Sequence, residues 1–276
     1  MKMKSSASGF WRQAQEITVL VILAIAIRTF IFGLYQVPTG SMETTMLIGE
    51  RFFADKLTPF FKPIKHGEII SFCDPMFDYS SNQLVNLFER YLYGPTNWTK
   101  RVIGIPGDHV QGMLEEGKPV VYCNGKKLDE PYLNQCDLVP VEDGSWRSFN
   151  PNKSFLEQTY YKLDSDVVRH MQHKYERMGQ QSTLHPATPL PEFCSGSDTF
   201  DVTLKDNQYW VMGDNRLGSD DSRRWGVLDG KLIHGRIIWR ILSIDSNESW
   251  LFVDILRNPI EFWSRVRWSR CLQMVS

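Results

Sequence analysis

The stretch Thr-Lys-Arg-Val-Ile-Gly-Ile-Pro-Gly-Asp at residues 99–108 predicts a β-strand that ends at a turn. Its branched apolar residues favour a strand, and the Pro-Gly pair that follows favours a turn. Side chains alternate between the two faces of a strand, so Lys100 and Val102 share one face, whereas Arg101 and Ile103 share the other. The strand can therefore bury an amine on one side and present a guanidinium group to a carboxylate on the other.

Short apolar segments bounded by glycine or proline recur through the rest of the chain and favour further β-strands. The pair Asn124-Gly125 is typical of a tight hairpin turn. The predicted strands cover residues 51–56, 68–73, 100–105, 119–123, 209–212 and 237–244. Because strands do not alternate with long helices, we predict a mainly β fold, a coiled antiparallel β-sheet or partial barrel.

An apolar run at residues 17–36 predicts a transmembrane helix near the N-terminus. About 20 apolar residues are enough to cross a bilayer. Arg28 interrupts the run near its end, where a long basic side chain can reach the membrane interface. Basic residues within 1–16 favour a cytoplasmic tail, which places the rest of the chain on the outer face. The alternative is a cleavable signal peptide, for which residues 24–26 offer a small-x-small site inside the apolar run.

The remaining chain divides into a β domain, an insertion and a tail. We assign residues 37–133 and 206–246 to the β domain and the polar residues 134–205 to an inserted variable lobe. Within the β domain, the apolar spacing of residues 76–97 predicts a surface helix. Residues 247–276 mix aromatic and arginine side chains, which suits either a lipid headgroup zone or a C-terminal helix packed on the body.

Composition argues against several classes of ligand. The net charge is −1, so the chain has no overall basic field for nucleic acid. The five cysteines lack the spacing of a zinc site, although Cys136 and Cys194 would be able to form a bridge in an oxidising compartment. His170 and His173 are interpreted as solvated side chains. We therefore expect no metal, no cofactor and no nucleic acid partner.

Several sequence blocks, in one order, resemble those of bacterial type I signal peptidases, the leader peptidase family. Val-Pro-Thr-Gly-Ser-Met at residues 37–42 follows the apolar run, and Gly-Glu-Ile-Ile-Ser-Phe at residues 67–72 precedes the strand described above. The later blocks lie at residues 124–126, 130–133, 213–216 and 219–226. Two departures from the family pattern are Thr44, where a proline is usual, and Leu217-Gly218, where Asp-Asn is usual.

The resemblance implies a membrane-bound serine endopeptidase that uses a Ser–Lys dyad. A serine hydroxyl needs an adjacent base, and a lysine can serve as that base when burial lowers its pKa. The implied nucleophile is Ser41 and the implied base is Lys100, which Ser219 orients by a hydrogen bond. The backbone N–H of Ser41 and the Thr39 hydroxyl are candidate donors to the oxyanion.

The other site residues are predicted to support the dyad or to contact the substrate. The resemblance implies structural support from two ion pairs, Arg101 with Asp214 and Asp221 with Arg223. Proximity in sequence alone suggests substrate-pocket roles for Val37, Pro38, Met42, Met46 and Trp98.

The implied substrates are secreted preproteins, cut after small residues of the Ala-x-Ala type. Such a substrate would bind as an extended strand beside residues 38–41. The implied location is the bacterial inner (plasma) membrane, with a single span, membrane lipids as partners and the catalytic domain on the outer or periplasmic face.

Two alternatives stay open from the sequence. A self-cleaving repressor of the Ser–Lys type would need a DNA-binding helix-turn-helix, whereas this N-terminus is apolar. A non-catalytic, membrane-tethered binding module would leave Ser41 and Lys100 exposed or far apart. The distance between Ser41 Oγ and Lys100 Nζ discriminates between an enzyme and such a module.

Overall fold

The computed structural model describes residues 5–47, 49–91, 94–95, 97–116, 118–133, 137–140, 146–149, 198–244 and 251–275. The helices are α1 Ser5–Phe30, α2 Gln83–Tyr91, α3 Ser222–Trp225, α4 Leu251–Arg257 and α5 Glu261–Ser264. The first seven strands are β1 Phe32–Gln36, β2 Arg51–Asp55, β3 Ile69–Phe72, β4 Trp98–Gly104, β5 His109–Glu115, β6 Lys118–Cys123 and β7 Lys126–Lys127. The others are β8 Asp137–Pro140, β9 Trp146–Phe149, β10 Phe200–Thr203, β11 Gln208–Met212, β12 Leu228–Asp229, β13 Ile233–Leu242 and β14 Gln273–Met274.

The body is built on a curled antiparallel sheet, which confirms the predicted mainly β fold. Seven strands follow the order β1-β2-β13-β3-β4-β11-β12, and β14 adds to β13. The first half of β13 pairs with β3 and its second half pairs with β2. Register shifts interrupt both ladders, and such irregularities increase local twist. This long central strand therefore lets the sheet coil into a partial barrel.

A second sheet has the order β10-β5-β6-β7, and β8 pairs with β9 in a separate hairpin. The turn between β6 and β7 is the predicted Asn124-Gly125 hairpin, with φ of 52° and 75°. Positive φ at both central residues is what the tight hairpin turn requires.

Strand β4 lies between two hydrophobic clusters. Val102 packs in one cluster with Ile70, and Ile103 packs in the other with Trp210. All four side chains are 5% exposed or less. The alternation predicted for residues 99–108 is therefore confirmed, and it fixes the opposite directions of Lys100 and Arg101.

The N-terminal helix differs from the predicted segment 17–36. Helix α1 begins at Ser5 and ends at Phe30, and its stretch Trp11–Phe30 is long and apolar enough to cross a membrane. Residues 32–36 instead form β1, because their backbone groups pair with β2 and Phe32 stacks on Phe53 at 5.3 Å between ring centroids. An apolar run cannot by itself distinguish the end of a helix from a buried strand.

Two other segments show where the described strands and helices lie relative to the predicted boundaries. Helix α2 confirms the helix expected within residues 76–97. Strand β10 falls inside the segment assigned to the inserted lobe, yet it pairs with β5 and belongs to the body. Cys136, Cys194, His170 and His173 lie outside the described residues, so the predictions made for them stay predictions.

The C-terminal segment packs on the body. Phe262 and Val266 are buried against Ile244, and β14 pairs with β13. The exposed rings of Trp263 and Trp268 stack with centroids 6.1 Å apart. The segment thus packs on the body through its buried side chains, and contact of its exposed aromatic rings with lipid stays a prediction.

A buried carboxylate ties this segment to the sheet. Glu50 is fully buried and accepts hydrogen bonds from Arg240 Nε at 3.0 Å, Ser243 Oγ at 2.7 Å and Arg270 Nε at 2.7 Å. It also accepts from the backbone N–H of Leu47 at 2.9 Å. One side chain thus joins the loop before β2, the β13 strand and the C-terminal segment.

We predict that Glu50→Ala destabilises the protein by about 3–5 kcal/mol, because it leaves two arginines without their buried counter-charge. Denaturant unfolding of the detergent-purified protein measures the change. Glu115→Ala is the control, since it removes a solvent-accessible ion pair with Lys127 and a hydrogen bond from the Tyr122 hydroxyl and should change stability little. Equal unfolding curves for the two variants would contradict a structural role for Glu50.

Candidate active site

The serine lies on a tight 3-10 turn formed by Gly40–Met42. Met42 anchors the turn in the core, where it is 2% exposed. A Cβ atom at Gly40 would lie 2.8 Å from the Glu43 carboxyl group, so a larger residue here would have to displace that buried side chain. Ser41 is half-buried on this turn.

The lysine reaches the serine from β4. Lys100 Nζ lies 2.8 Å from Ser41 Oγ, which is hydrogen-bonding distance. The Lys100 side chain is 4% exposed, and its amine lies 5.7 Å from the centroid of the Trp98 ring. The pleat of β4 and the turn at residue 41 therefore bring together two groups that are 59 residues apart in sequence.

Burial lowers the pKa of Lys100 from 10.5 to about 8. The carboxylates of Asp221 and Asp220 oppose this shift, while Arg223 adds to it. Loss of water around an amine disfavours its charged form, which is the dominant effect here. A substantial fraction of the amine is consequently neutral at slightly alkaline pH, and a neutral amine can accept a proton.

Arg101 occupies the opposite face of β4 and forms the ion pair expected with Asp214. The two hydrogen bonds are 2.8 Å from Nε and 2.7 Å from Nη2, and both side chains are buried. The Thr45 hydroxyl donates to the same carboxylate at 2.6 Å, and Tyr132 places its ring 3.9 Å from the guanidinium carbon. The pair therefore links β4 to the residues that follow the serine turn.

Asp221 and Arg223 form the second expected pair, at the start of α3. Arg223 Nε donates to Asp221 at 2.9 Å, and Gly213 N donates to the other carboxylate oxygen at 2.9 Å. Burial alone would raise the pKa of Asp221, but Arg223 outweighs it and the pKa is lowered. Asp221 consequently remains charged beside Lys100.

Ser219 is brought to the site, but the predicted hydrogen bond to Lys100 is not formed. Ser219 Oγ is buried without a hydrogen-bond partner in the described part of the chain. The physical reason is its position: the side chain lies directly over the Cα of Gly213, next to the carbonyl of Ser41. An orienting role for Ser219 toward Lys100 stays a prediction.

The predicted pocket residues separate into two groups. Val37, Met42 and Met46 are 8%, 2% and 2% exposed and belong to the core cluster beneath the serine turn. Pro38 is exposed, and Trp98 is half-buried beside Lys100. The first three side chains support the turn in this conformation, and contact of any of the five with a substrate stays a prediction.

The candidate oxyanion donor Thr39 precedes the turn. Thr39 is exposed, its backbone is extended, and its side chain does not cap the turn. The hydroxyl is therefore accessible to a ligand bound at Ser41.

Asn215 is a positioning residue that the sequence interpretation did not identify. Its backbone N–H donates to the Ser41 carbonyl at 3.1 Å, and its side-chain amide donates to the Gly40 carbonyl at 3.0 Å. These bonds fix the backbone of the serine turn against the loop after β11. The only sequence signal was its place beside Asp214 in the Gly-Asp-Asn-Arg block.

Among the residues that the structure describes, one group has ligand atoms within 4.8 Å of one another, close enough to hold a metal ion: His66, Asp108 and Cys123. Asp108 accepts a 2.6 Å hydrogen bond from His66 and a 2.8 Å bond from Asn124. It also accepts from the backbone N–H of Ile105 at 2.8 Å. These bonds brace the turn at residues 105–108, and none of them involves Ser41 or Lys100.

A hydroxyl beside a buried, partly neutral amine on a curled antiparallel sheet is the arrangement of a nucleophile and its base, as in serine hydrolases. Comparison with known families agrees with this class. The family described as signal peptidase, peptidase S26, matches residues 10–242. The chain belongs to this family of serine peptidases.

Individual relatives carry the same description. A signal peptidase I of Bacillus amyloliquefaciens is 29% identical over 234 residues, which are 84% of this chain and 86% of the relative. A signal peptidase I of Haemophilus influenzae is 27% identical over 270 residues, covering 88% and 72% of the two chains. The crystal structure of a signal peptidase I from Enterococcus faecalis V583 covers 64% of this chain and 97% of its own, with 19% identity and a TM-score of 0.30.

We predict that Gly213→Ala lowers peptidase activity at least about tenfold, since misplacement of catalytic groups by roughly 1 Å has effects of this size or larger. A Cβ atom at residue 213 would lie 2.5 Å from the Ser41 carbonyl and would overlap Ser219. Gly235→Ala is the matched control, because its Cβ would meet its nearest neighbours at 3.4 Å or more. Turnover of a model preprotein by both variants tests this, and similar activity in the two would show that the contact at residue 213 does not matter.

Proposed function

We propose that this protein is a membrane-anchored serine endopeptidase that removes signal peptides from exported preproteins by a Ser–Lys dyad. The observation that carries the proposal is the 2.8 Å contact between Lys100 Nζ and Ser41 Oγ in a buried site. The family match and the printed names of the relatives support signal peptides as the substrates.

In the proposed reaction, neutral Lys100 takes the proton of the Ser41 hydroxyl as the oxygen attacks the scissile carbonyl. The carbonyl oxygen acquires negative charge, which the Ser41 backbone N–H and the Thr39 hydroxyl stabilise. Protonated Lys100 then gives its proton to the leaving amine, and the acyl group stays on Ser41. Water, activated by the same amine, releases the acyl group and restores the serine.

The surrounding charges suit this cycle. Asp221 lies close enough to Lys100 to act on its pKa, and Arg223 and the Gly213 amide hold that carboxylate. A fixed anion near the amine stabilises the ammonium formed during attack without accepting its proton. The proposed site thus makes the neutral form of Lys100 available near pH 8 and still tolerates its transient charge.

The two alternative functions fit the molecule less well. A binding module that only tethers a partner has no need for an amine that is 4% exposed beside a hydroxyl. A self-cleaving repressor does not account for α1, whose Trp11–Phe30 stretch is long and apolar enough to cross a membrane.

The proposed substrate would lie as an extended strand along the exposed residues Pro38 and Thr39, next to the serine. Main-chain pairing gives affinity that tolerates varied sequences. Shallow contacts would then select small side chains of the Ala-x-Ala type before the cleaved bond.

The proposed anchor is α1, whose Trp11–Phe30 stretch leaves none of its apolar window buried in the protein. Basic residues before this stretch favour a cytoplasmic N-terminus in a bacterial plasma membrane. The body would then meet the membrane on the outer face, where exported preproteins emerge.

We predict that Ser41→Ala and Lys100→Met each lower cleavage of a model preprotein by about 10³-fold or more, because each removes one half of the dyad. Detergent-purified protein and gel analysis of the product measure this. Lys126→Met is the matched control, since it removes an exposed lysine of the β7 hairpin. The dyad is refuted if Lys100→Met retains activity while its fold is intact.

We also predict that kcat/KM rises with pH through about 8 and levels off above it, following the neutral form of Lys100. The sign follows from the chemistry: below this pKa the ammonium form cannot accept the serine proton. Initial rates between pH 6 and 10 provide the test. A profile that is flat, or that rises only near pH 10.5, would argue against a buried lysine base.

A further inference from the structure

A cavity of about 350 Å³ lies where the end of α1 meets β1, β2 and the segment that follows α2. Its lining includes three basic side chains from three different elements: Arg28, Lys56 and Arg90. Neither Ser41 nor Lys100 lines it. The cavity is therefore separate from the proposed catalytic site.

The charges of this cavity are not balanced. In the described part of the chain, none of its three basic side chains forms an ion pair with a carboxylate. Glu89 is the one carboxylate among the described lining residues, and it accepts a hydrogen bond from the Ser80 N–H at 2.8 Å. Three cations and one carboxylate leave an excess positive charge that suits an anion.

Two of the basic groups have unused capacity to bind. Arg90 donates from Nη1 to the Lys231 carbonyl at 3.1 Å, but its Nε is buried without an acceptor among the described residues. Lys56 lies over the Tyr35 ring at 5.7 Å, and burial together with the charge of Arg28 lowers its pKa. A bound anion would supply the missing acceptor and reduce the repulsion between these cations.

The same cavity also has apolar lining. Ile25 on α1 and Leu34 on β1 are 48% and 65% exposed. Arg28 lies in the last turn of α1, at the end of the stretch proposed to cross the membrane. A basic side chain at this position is placed at the level of the lipid headgroups. Apolar and cationic surfaces thus meet in one cavity at the proposed membrane interface.

We propose that this cavity binds the phosphate of an anionic phospholipid headgroup, with the acyl chains directed along the apolar surface of α1. Arg90 and Lys56 would hold the phosphate from the body, and Arg28 would hold it from the helix. The bound lipid would fix the orientation of the β domain relative to the membrane. This proposal rests on the proposed membrane anchor, but not on the Ser–Lys chemistry.

Native mass spectrometry of the detergent-purified full chain, titrated with phosphatidylglycerol, tests the site. The double variant Lys56→Gln/Arg90→Gln is expected to weaken lipid binding at least about tenfold, since each juxtamembrane basic residue contributes roughly fivefold. Lys118→Gln/Lys126→Gln, which removes two exposed charges from the β6–β7 hairpin, should bind like the wild type. Lys56→Arg/Arg90→Lys keeps both charges and should retain binding.

Two further titrations distinguish the source of the phosphate. Phosphatidylcholine should bind more weakly than phosphatidylglycerol, because its headgroup has no net charge. Inorganic phosphate should compete with phosphatidylglycerol for the cavity, but it should bind more weakly than the lipid does. Binding of inorganic phosphate alone, with no binding of phosphatidylglycerol, would overturn the lipid assignment.

The proposal is also overturned if the Gln double variant binds phosphatidylglycerol like the wild type, or if the charge-retaining variant loses binding. Preprotein cleavage in detergent is measured on the same samples. It should be unchanged in the Gln double variant, so a failure of lipid binding and a failure of the proposed peptidase activity give different results.

Discussion

The rest of the site depends on one contact, the 2.8 Å separation of Lys100 Nζ from Ser41 Oγ inside a site that water barely reaches. The coiled sheet supplies both partners: β4 carries the lysine, and the loop between β1 and β2 carries the serine. Desolvation is the physical cause that turns an ordinary lysine into a base, since it penalises the ammonium form and lowers its pKa to about 8. Burial of an amine is unfavourable at most positions, but here it is what allows Lys100 to act as a base.

The surrounding charges are compensated almost completely, in contrast to the lysine itself. Asp214 pairs with Arg101, Asp221 pairs with Arg223, and Glu50 pairs with Arg240 of β13 and Arg270 of the C-terminal segment. These pairs hold the side chains in place more than they add to the free energy of unfolding, because the cost of removing charges from water offsets much of their attraction. They hold the serine turn and the lysine strand at a fixed separation. Lys100, in contrast, is buried without an ion pair among the described residues, and it lies at the point where a proton has to move.

Local patterns predicted the parts of this architecture that depend on neighbours in sequence. The alternation around Lys100, the Asn124-Gly125 hairpin and six of the fourteen described strands followed from local sequence pattern, and the dyad followed from the resemblance of ordered blocks. The errors lie where distant segments decide the outcome. Strand β1 was interpreted as the end of a helix because only its pairing with β2 distinguishes the two. The roles of Glu50 and Asn215 were not predicted, because their partners lie up to 220 residues away in sequence.

The most direct test of this account is the protonation of the Lys100 amine itself. Heteronuclear NMR of lysine-labelled protein, with the Lys100 signal assigned by its loss in Lys100→Met, follows the side-chain resonance as the pH is changed. The account predicts a midpoint near pH 8, set by burial. A midpoint near the 10.5 of a solvated lysine would show that the amine is charged at working pH, and would contradict its role as the base.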